Sequence, residues 1–144
     1  FPVVGVTWDD ARAWCAWTAE RTGRAIRLPG TLEWEKAARG VDGRRYPWGD
    51  TWDPGFVNRA GSRPGPPRLE AVGVYGMDTS IYGVRDACGG VREWCADATA
   101  DGERACRGGD WTRTDDQPLA APSSAPPATR SLRIGFRPCL SLDA

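Results

Sequence analysis

Apolar positions open the chain, and Phe1 to Val6 read as a short strand. The pattern changes at Thr7-Trp8-Asp9-Asp10, a capping box in which the Thr7 hydroxyl accepts from the Asp10 amide and the Asp10 carboxylate reaches back. A helix is predicted from there to Thr22, with Gly23 as its stop. Ala11, Trp14, Cys15 and Thr18 share one face at helical spacing. Ile26 to Pro29 is extended, and a second helix runs from Thr31 to Arg39, ended by Gly40, with Trp34 and Ala38 on one face. Asp42-Gly43 marks a turn, and Tyr46-Pro47-Trp48-Gly49-Asp50 a rigid aromatic one.

Periodicity then stops. Thr51 to Ala71 is rich in Gly, Pro, Arg and Ser and reads as a long ordered loop, the kind that is functional or tied down. Val72 to Met77, Val91 to Cys95, Ala105 to Trp111 and Leu132 to Cys139 are strand candidates. Between the last two lies Thr112 to Ser131, polar and Pro/Ala/Ser-rich. Two helices early and short strands among long loops afterwards define an α+β class with high irregular content. At 144 residues the chain fits a single domain, 1–144, and its abrupt start reads like a domain cut from a longer chain.

Composition narrows the chemistry. With 19 basic and 19 acidic residues the net charge is zero, so nucleic acid is not an expected partner. Only Lys36 among the basic residues is a lysine; a GC-rich genome and a preference for planar bidentate contacts both account for that. The absence of histidine excludes Ser-His-Asp triads and His-dependent zinc or iron sites within this chain. No apolar run approaches the ~20 residues of a membrane helix, so no membrane insertion is expected. The five cysteines, Cys15, Cys88, Cys95, Cys106 and Cys139, form no C-x-x-C and read as mostly reduced, buried thiols. Trp34, Trp48, Trp94 and Trp111 read as core. Arg39, Arg107 and Arg137 are expected to pair with Glu33, Glu35 or Glu93, and Gly108-Gly109 and Gly135 to allow close backbone approach or positive φ.

In order along the chain, Pro2-Val3-Val4-Gly5-Val6-Thr7-Trp8-Asp9-Asp10-Ala11, Arg27-Leu28-Pro29 through Glu33-Trp34-Glu35 to Ala38-Arg39-Gly40, Tyr46-Pro47-Trp48-Gly49-Asp50, Tyr82-Gly83-Val84-Arg85-Asp86 through Glu93-Trp94, Arg107-Gly108-Gly109-Asp110-Trp111 and Ile134-Gly135-Phe136-Arg137 form a set whose order and spacing span nearly the whole chain. This set resembles the formylglycine-generating-enzyme family. The resemblance implies a C-type-lectin-like fold with two helices and short antiparallel strands, and its wording is most similar to the branch fused to bacterial Ser/Thr kinases or diversified by retroelements. Oxidising members carry a copper-binding thiol pair between the last two motifs. The matching positions here are Arg113 and Pro118, and residues 110 to 137 contain no cysteine, so no catalytic residue and no required cofactor are expected.

The resemblance further implies that the segment between those motifs forms an exposed binding face for a protein or small-molecule ligand. Trp111 would supply rigid contact area, Arg113, Arg130 and Arg133 would grip carboxylate or phosphate, and Asp115, Asp116 and Gln117 would complete the surface. Adenine-directed diversification yields no Lys, Trp, Met, Glu or Gln, and between Thr112 and Arg133 only Gln117 breaks that restriction; an ordinary Ala/Pro/Ser/Arg-rich loop has the same composition. Family calcium sites imply Asn58 and Glu93 as ligands of one Ca2+ rather than two, because Gly90 stands where a ligating Asn is usual. The family disulfide implies a Cys15–Cys139 bond, with free thiols the alternative in a cytosol. A bacterial cytoplasm is the expected compartment, with a kinase domain in the same chain as a candidate partner.

Overall fold

A computed structural model describes residues 1–141. The chain runs α1 (Trp8–Thr22), β1 (Ile26–Arg27), α2 (Thr31–Arg39), a single 3-10 turn (Pro54–Phe56), β2 (Arg92–Ala98), β3 (Arg104–Arg107), β4 (Ser123–Ala125), β5 (Ile134–Phe136) and β6 (Cys139–Leu140). Both helices follow the sequence pattern. The Thr7 amide donates to Asp10 Oδ2 and the Asp10 amide to Thr7 Oγ1, each at 3.0 Å, and Gly23 closes the helix at φ 66. A C-type-lectin-like α+β architecture of two helices and short strands results.

The main sheet has the order β4-β3-β2-β5, and β1 pairs with β6 in a separate antiparallel ribbon. β2 alternates across the sheet, which divides the core in two. Trp94 joins Ala11, Cys15, Leu28, Cys106 and Ile134 beneath α1. Cys95 joins Trp34, Tyr46, Val57, Cys88 and Leu119 on the other side, beneath α2. The expected ion pairs form: Arg39 Nη1 to Glu35 Oε1 at 2.6 Å, Arg107 Nη2 to Glu35 Oε2 at 3.3 Å and Arg137 Nη2 to Glu93 Oε1 at 2.8 Å. Gly108 takes φ 83, and a Cβ there would lie 2.7 Å from the Ala87 carbonyl, so the β3 exit admits only glycine.

Several expectations are corrected. The strands are not all antiparallel, because β5 runs parallel to β2 after the chain crosses from β4 to the far side of the sheet. Residues 1–6 form no ladder, and Gly5 turns out of the extended run at φ 73. Val72 to Met77 holds two turns, one at Val72–Gly73 (Gly73 φ 78) and one at Gly76–Met77, rather than a strand. The Leu132–Cys139 candidate splits at Pro138 into β5 and β6. The strand β4 arises inside the polar segment, where the Ser123 hydroxyl donates to the Cys106 carbonyl at 2.9 Å. Trp14 is 43% exposed and stands edge-on to Phe136 instead of entering the core. Trp48 and Trp111 are half-buried, unlike Trp34 and Trp94.

All five cysteines are free thiols. Burial pushes Cys88 and Cys106 up to about 12, so both are protonated at neutral pH. Burial also raises Cys15, and its neighbour Cys139 adds to the effect. No helix among the described residues is long and apolar enough to cross a membrane.

Candidate functional site

The segment from Trp111 to Arg133 divides at its mount. Its first half rests on Arg59, whose side chain is 2% exposed. Four of the guanidinium's hydrogen bonds go to main-chain carbonyls nearby: Nε and Nη2 donate to Cys88 O at 3.1 and 2.7 Å, Nη1 to Asp115 O at 2.6 Å and Nη2 to Gln117 O at 3.1 Å. The Asp115 carboxylate lies 3.6 Å away, and the Trp52 ring covers the cation at 5.0 Å. A buried charge is tolerated only when its donors are filled, and here they are filled by the very turn that the site needs to hold. Tyr46, fully buried beneath Trp48 and Trp52, adds a second post: its hydroxyl donates to Asp116 O at 2.6 Å. Burial raises the Tyr46 pKa, so this donor is present throughout the neutral range.

Side chains then face outward from a pinned backbone. Arg113 is bonded to Asp115 through Nε at 2.9 Å and through Nη2. Asp116 is exposed and sits 3.7 Å from Arg45. Arg113 holds the Asp115 carboxyl below its ordinary range, with Arg59 contributing. Gln117 takes part through its carbonyl, and its side chain is half-buried.

The second half is mounted differently. Trp8 N donates to Pro127 O at 3.0 Å, Gly5 N to Ser131 O at 3.0 Å and Arg92 N to Arg133 O at 2.9 Å. Arg130 is exposed, contacts Asp10 at 2.9 Å and donates to Gly5 O at 3.1 Å. Arg133 is exposed. Trp111 is a tie rather than an open platform, because its indole donates to Leu132 O at 3.1 Å across the two halves. The structure therefore groups Arg113, Asp115, Asp116 and Gln117 on one turn and sets Arg130 and Arg133 on a separate mount.

Of the two expected calcium ligands, Glu93 is committed to other partners. Glu93 is 6% exposed, and both its oxygens face donors: Trp34 Nε1 at 2.6 Å, Arg137 Nε at 3.0 Å and Arg137 Nη2 at 2.8 Å. A cation would have to displace a guanidinium there. The Asn58 side chain donates from Nδ2 to Arg68 O at 3.4 Å, and its main-chain carbonyl accepts from Gly90 N at 2.9 Å. Among the described residues no group of three or more His, Cys, Asp or Glu is placed to hold a metal.

Sequence reasoning missed Arg59 and the Tyr46 hydroxyl bond. Arg59 lies in an aperiodic loop where nothing local distinguishes a buried arginine from a solvated one. Tyr46 did carry a signal, since a tyrosine in a rigid aromatic turn needs a hydroxyl partner.

Residues 1–141 match the family model described as sulfatase-modifying factor enzyme 1-like domain. Among curated proteins, the chain is 40% identical over 128 residues to inactive C-alpha-formylglycine-generating enzyme 2 of Bos taurus, covering 81% of this chain and 40% of that protein. It is 39% identical over 97 residues to serine/threonine-protein kinase Pkn1 of Chlamydia trachomatis, covering 67% of this chain and 14% of the kinase. Among solved structures, PvdO from Pseudomonas aeruginosa superposes with a TM-score of 0.86 at 26% identity, over 98% of this chain and 62% of PvdO. Variable protein 1 of Treponema denticola superposes at 0.77 and 20% identity, over 95% of this chain and 70% of that one, a likeness of fold. The chain thus spans less than half the length of these two curated relatives. It belongs to the family of sulfatase-modifying factor enzyme 1-like domains.

Proposed function

We propose that this family member is a non-catalytic recognition domain that displays the turn Arg113–Gln117 to a protein or small-molecule ligand. The observation that carries the reading is the mount: a buried guanidinium and a buried phenol fix the turn chiefly through its carbonyls, while Asp116 stays exposed to solvent. A surface held by backbone contacts loses little entropy on binding and tolerates sequence change. That arrangement suits a diversified surface, and likeness in fold to a variable protein supports it. Similarity to an inactive enzyme and to part of a kinase supports a sensory role beside a kinase domain in the same polypeptide. The thiols that remain are protonated, and none lies between Arg107 and Pro138, which speaks against copper–thiolate oxidation. A bacterial cytoplasm, where five thiols stay reduced, is the compartment that suits this chemistry.

Two measurements test the reading. Oxygen consumption is followed with Cu(I), a reductant and a cysteine-bearing substrate peptide; no turnover is expected, and turnover overturns the non-catalytic assignment. A display library randomised at Arg113, Asp115, Asp116 and Gln117 is expected to yield folded members that select different targets. A library that loses its fold as a whole would end the recognition reading.

A further inference from the structure

Beneath the mount lies a carboxylate that the turn itself never touches. Asp78 is 1% exposed, and its oxygens receive main-chain amides from the loop 87–89. Cys88 N donates to Oδ1 at 3.0 Å and to Oδ2 at 3.1 Å, and Gly89 N to Oδ2 at 3.1 Å. Two other buried carboxylates are matched by guanidinium groups, Glu93 by Arg137 at 2.8 Å and Asp110 by Arg92 at 3.4 Å. Asp78 has amides in that place.

The groups around it do not supply a counter-charge. Asp86, on the same loop, is of like sign, and its amide donates to Asp78 O at 2.9 Å. The Cys88 thiol is protonated at neutral pH. Arg59 reaches the far side of Cys88, and Arg137, a cation that senses Asp78, is already bound to Glu93. Burial is the first cause that pushes the Asp78 carboxyl up to about 7; the Cys88 amide opposes it and Asp86 adds to it. The Cys88 amide is shared between both oxygens, so Oδ2 serves both amides when Oδ1 carries a proton.

The loop that Asp78 holds is the hub of the mount. Cys88 gives its amide to Asp78 and its carbonyl to Arg59, at 3.1 Å from Nε and 2.7 Å from Nη2. Packing leaves no slack: a Cβ on Gly89 would lie 2.7 Å from Asn58 O, and one on Gly109 2.5 Å from both Cys88 O and Arg59 Nη2. A shift of 87–89 therefore moves Arg59, and with it the donors that hold Asp115 O and Gln117 O.

We infer that Asp78 is a protonation-dependent latch: it holds the loop 87–89, and through Arg59 the turn 113–117, most firmly in mild acid and loosens them as the solution turns alkaline. The sign follows from linkage. A carboxyl that binds its proton more tightly in the closed loop than in the opened, solvated one favours closure on the acid side, and that support is lost as pH rises toward about 7. Its consequence for recognition rests on the proposed function, whereas loosening is measured without any ligand, so the two can fail separately.

Amide exchange, corrected for its intrinsic pH dependence, reads the latch. The opening constants of Cys88 and Gly89, and of Ala60, whose amide donates to Arg113 O at 3.0 Å, are expected to be at least ~10-fold smaller near pH 5 than near pH 7.5. The Trp8 amide, bonded to Pro127 O in the other mount, is expected to lack that slope. In Asp78→Asn the slope at all three sites is expected to vanish. The wild-type profile, and the titration of the Asp78 carboxyl carbon followed by NMR, keep the test decisive if that variant misfolds. A carboxyl midpoint at or below the ordinary carboxylate range, flat profiles at Cys88 and Gly89, or a slope that persists in Asp78→Asn would each overturn the latch. A slope that stops short of Ala60, or that Trp8 shares, would overturn its coupling to the turn.

Discussion

The two halves of the 111–133 segment are mounted in different proportions of side-chain and main-chain bonding. Residues 113–117 hang chiefly on two buried side chains, Arg59 and Tyr46, that reach up from other loops, with a single main-chain bond from Ala60 N to Arg113 O at 3.0 Å beside them. Residues 127–133 are held by main-chain bonds spread over Trp8, Gly5 and Arg92, with one exposed ion pair added. A mount built on side chains concentrates its strength in a few atoms, whereas a mount built on backbone distributes it. The first kind leaves the displayed turn free in sequence but makes it hostage to residues far away in the chain. The second tolerates loss of any one side chain.

Arg59→Ala breaks the comparison most forcefully. It removes a buried cation and strands three carbonyls, at Cys88, Asp115 and Gln117, without donors. A loss of about 3–5 kcal/mol in urea unfolding is expected. Protease cleavage should appear first within 113–117. A loss below about 1 kcal/mol would mean that the turn holds itself.

That dependence explains why the fold was legible in sequence and the site only in part. The helices were readable because capping and periodicity are local: Thr7, Asp10, Gly23 and the spacing of Trp34 and Ala38 lie within a few residues of what they control. The strand β4 was not, since Ser123–Ala125 has no strand-forming character and is extended only because β3 lies beside it. The exposed turn was legible as a segment, from the motifs that bracket it. Its anchors were not, because Arg59 and Asp115 are 56 residues apart and neither carries a pattern. The contact of Arg130 with Asp10 is illegible for a related reason: the capping box accounts for Asp10 locally, and the second contact depends on tertiary placement.

Tyr46→Phe sharpens the comparison with a smaller effect. The ring remains stacked on Trp48 at 5.3 Å between centroids, and only the bond to Asp116 O is lost. About 1 kcal/mol is expected in urea unfolding, with faster amide exchange confined to residues around Asp116. Exchange rising equally in 127–133 would show that the halves share one mount.

The smallest effect belongs to Arg130→Ala. Its side chain is 61% exposed, so the contact with Asp10 is screened by water and a change below about 1 kcal/mol is expected. Acid response discriminates further. The Thr7 amide is the first cause holding the Asp10 carboxyl below its ordinary value, and Arg130 is a lesser one. A depressed carboxyl contributes stability above its unfolded pKa and loses it as pH falls through the folded one. In Arg130→Ala the Thr7 bond remains, so the acid limb of stability below about pH 4 should keep nearly its wild-type position. An acid limb displaced toward neutral pH, or a loss as large as that of Arg59→Ala, would place the second mount on its side chain after all and erase the distinction between the halves.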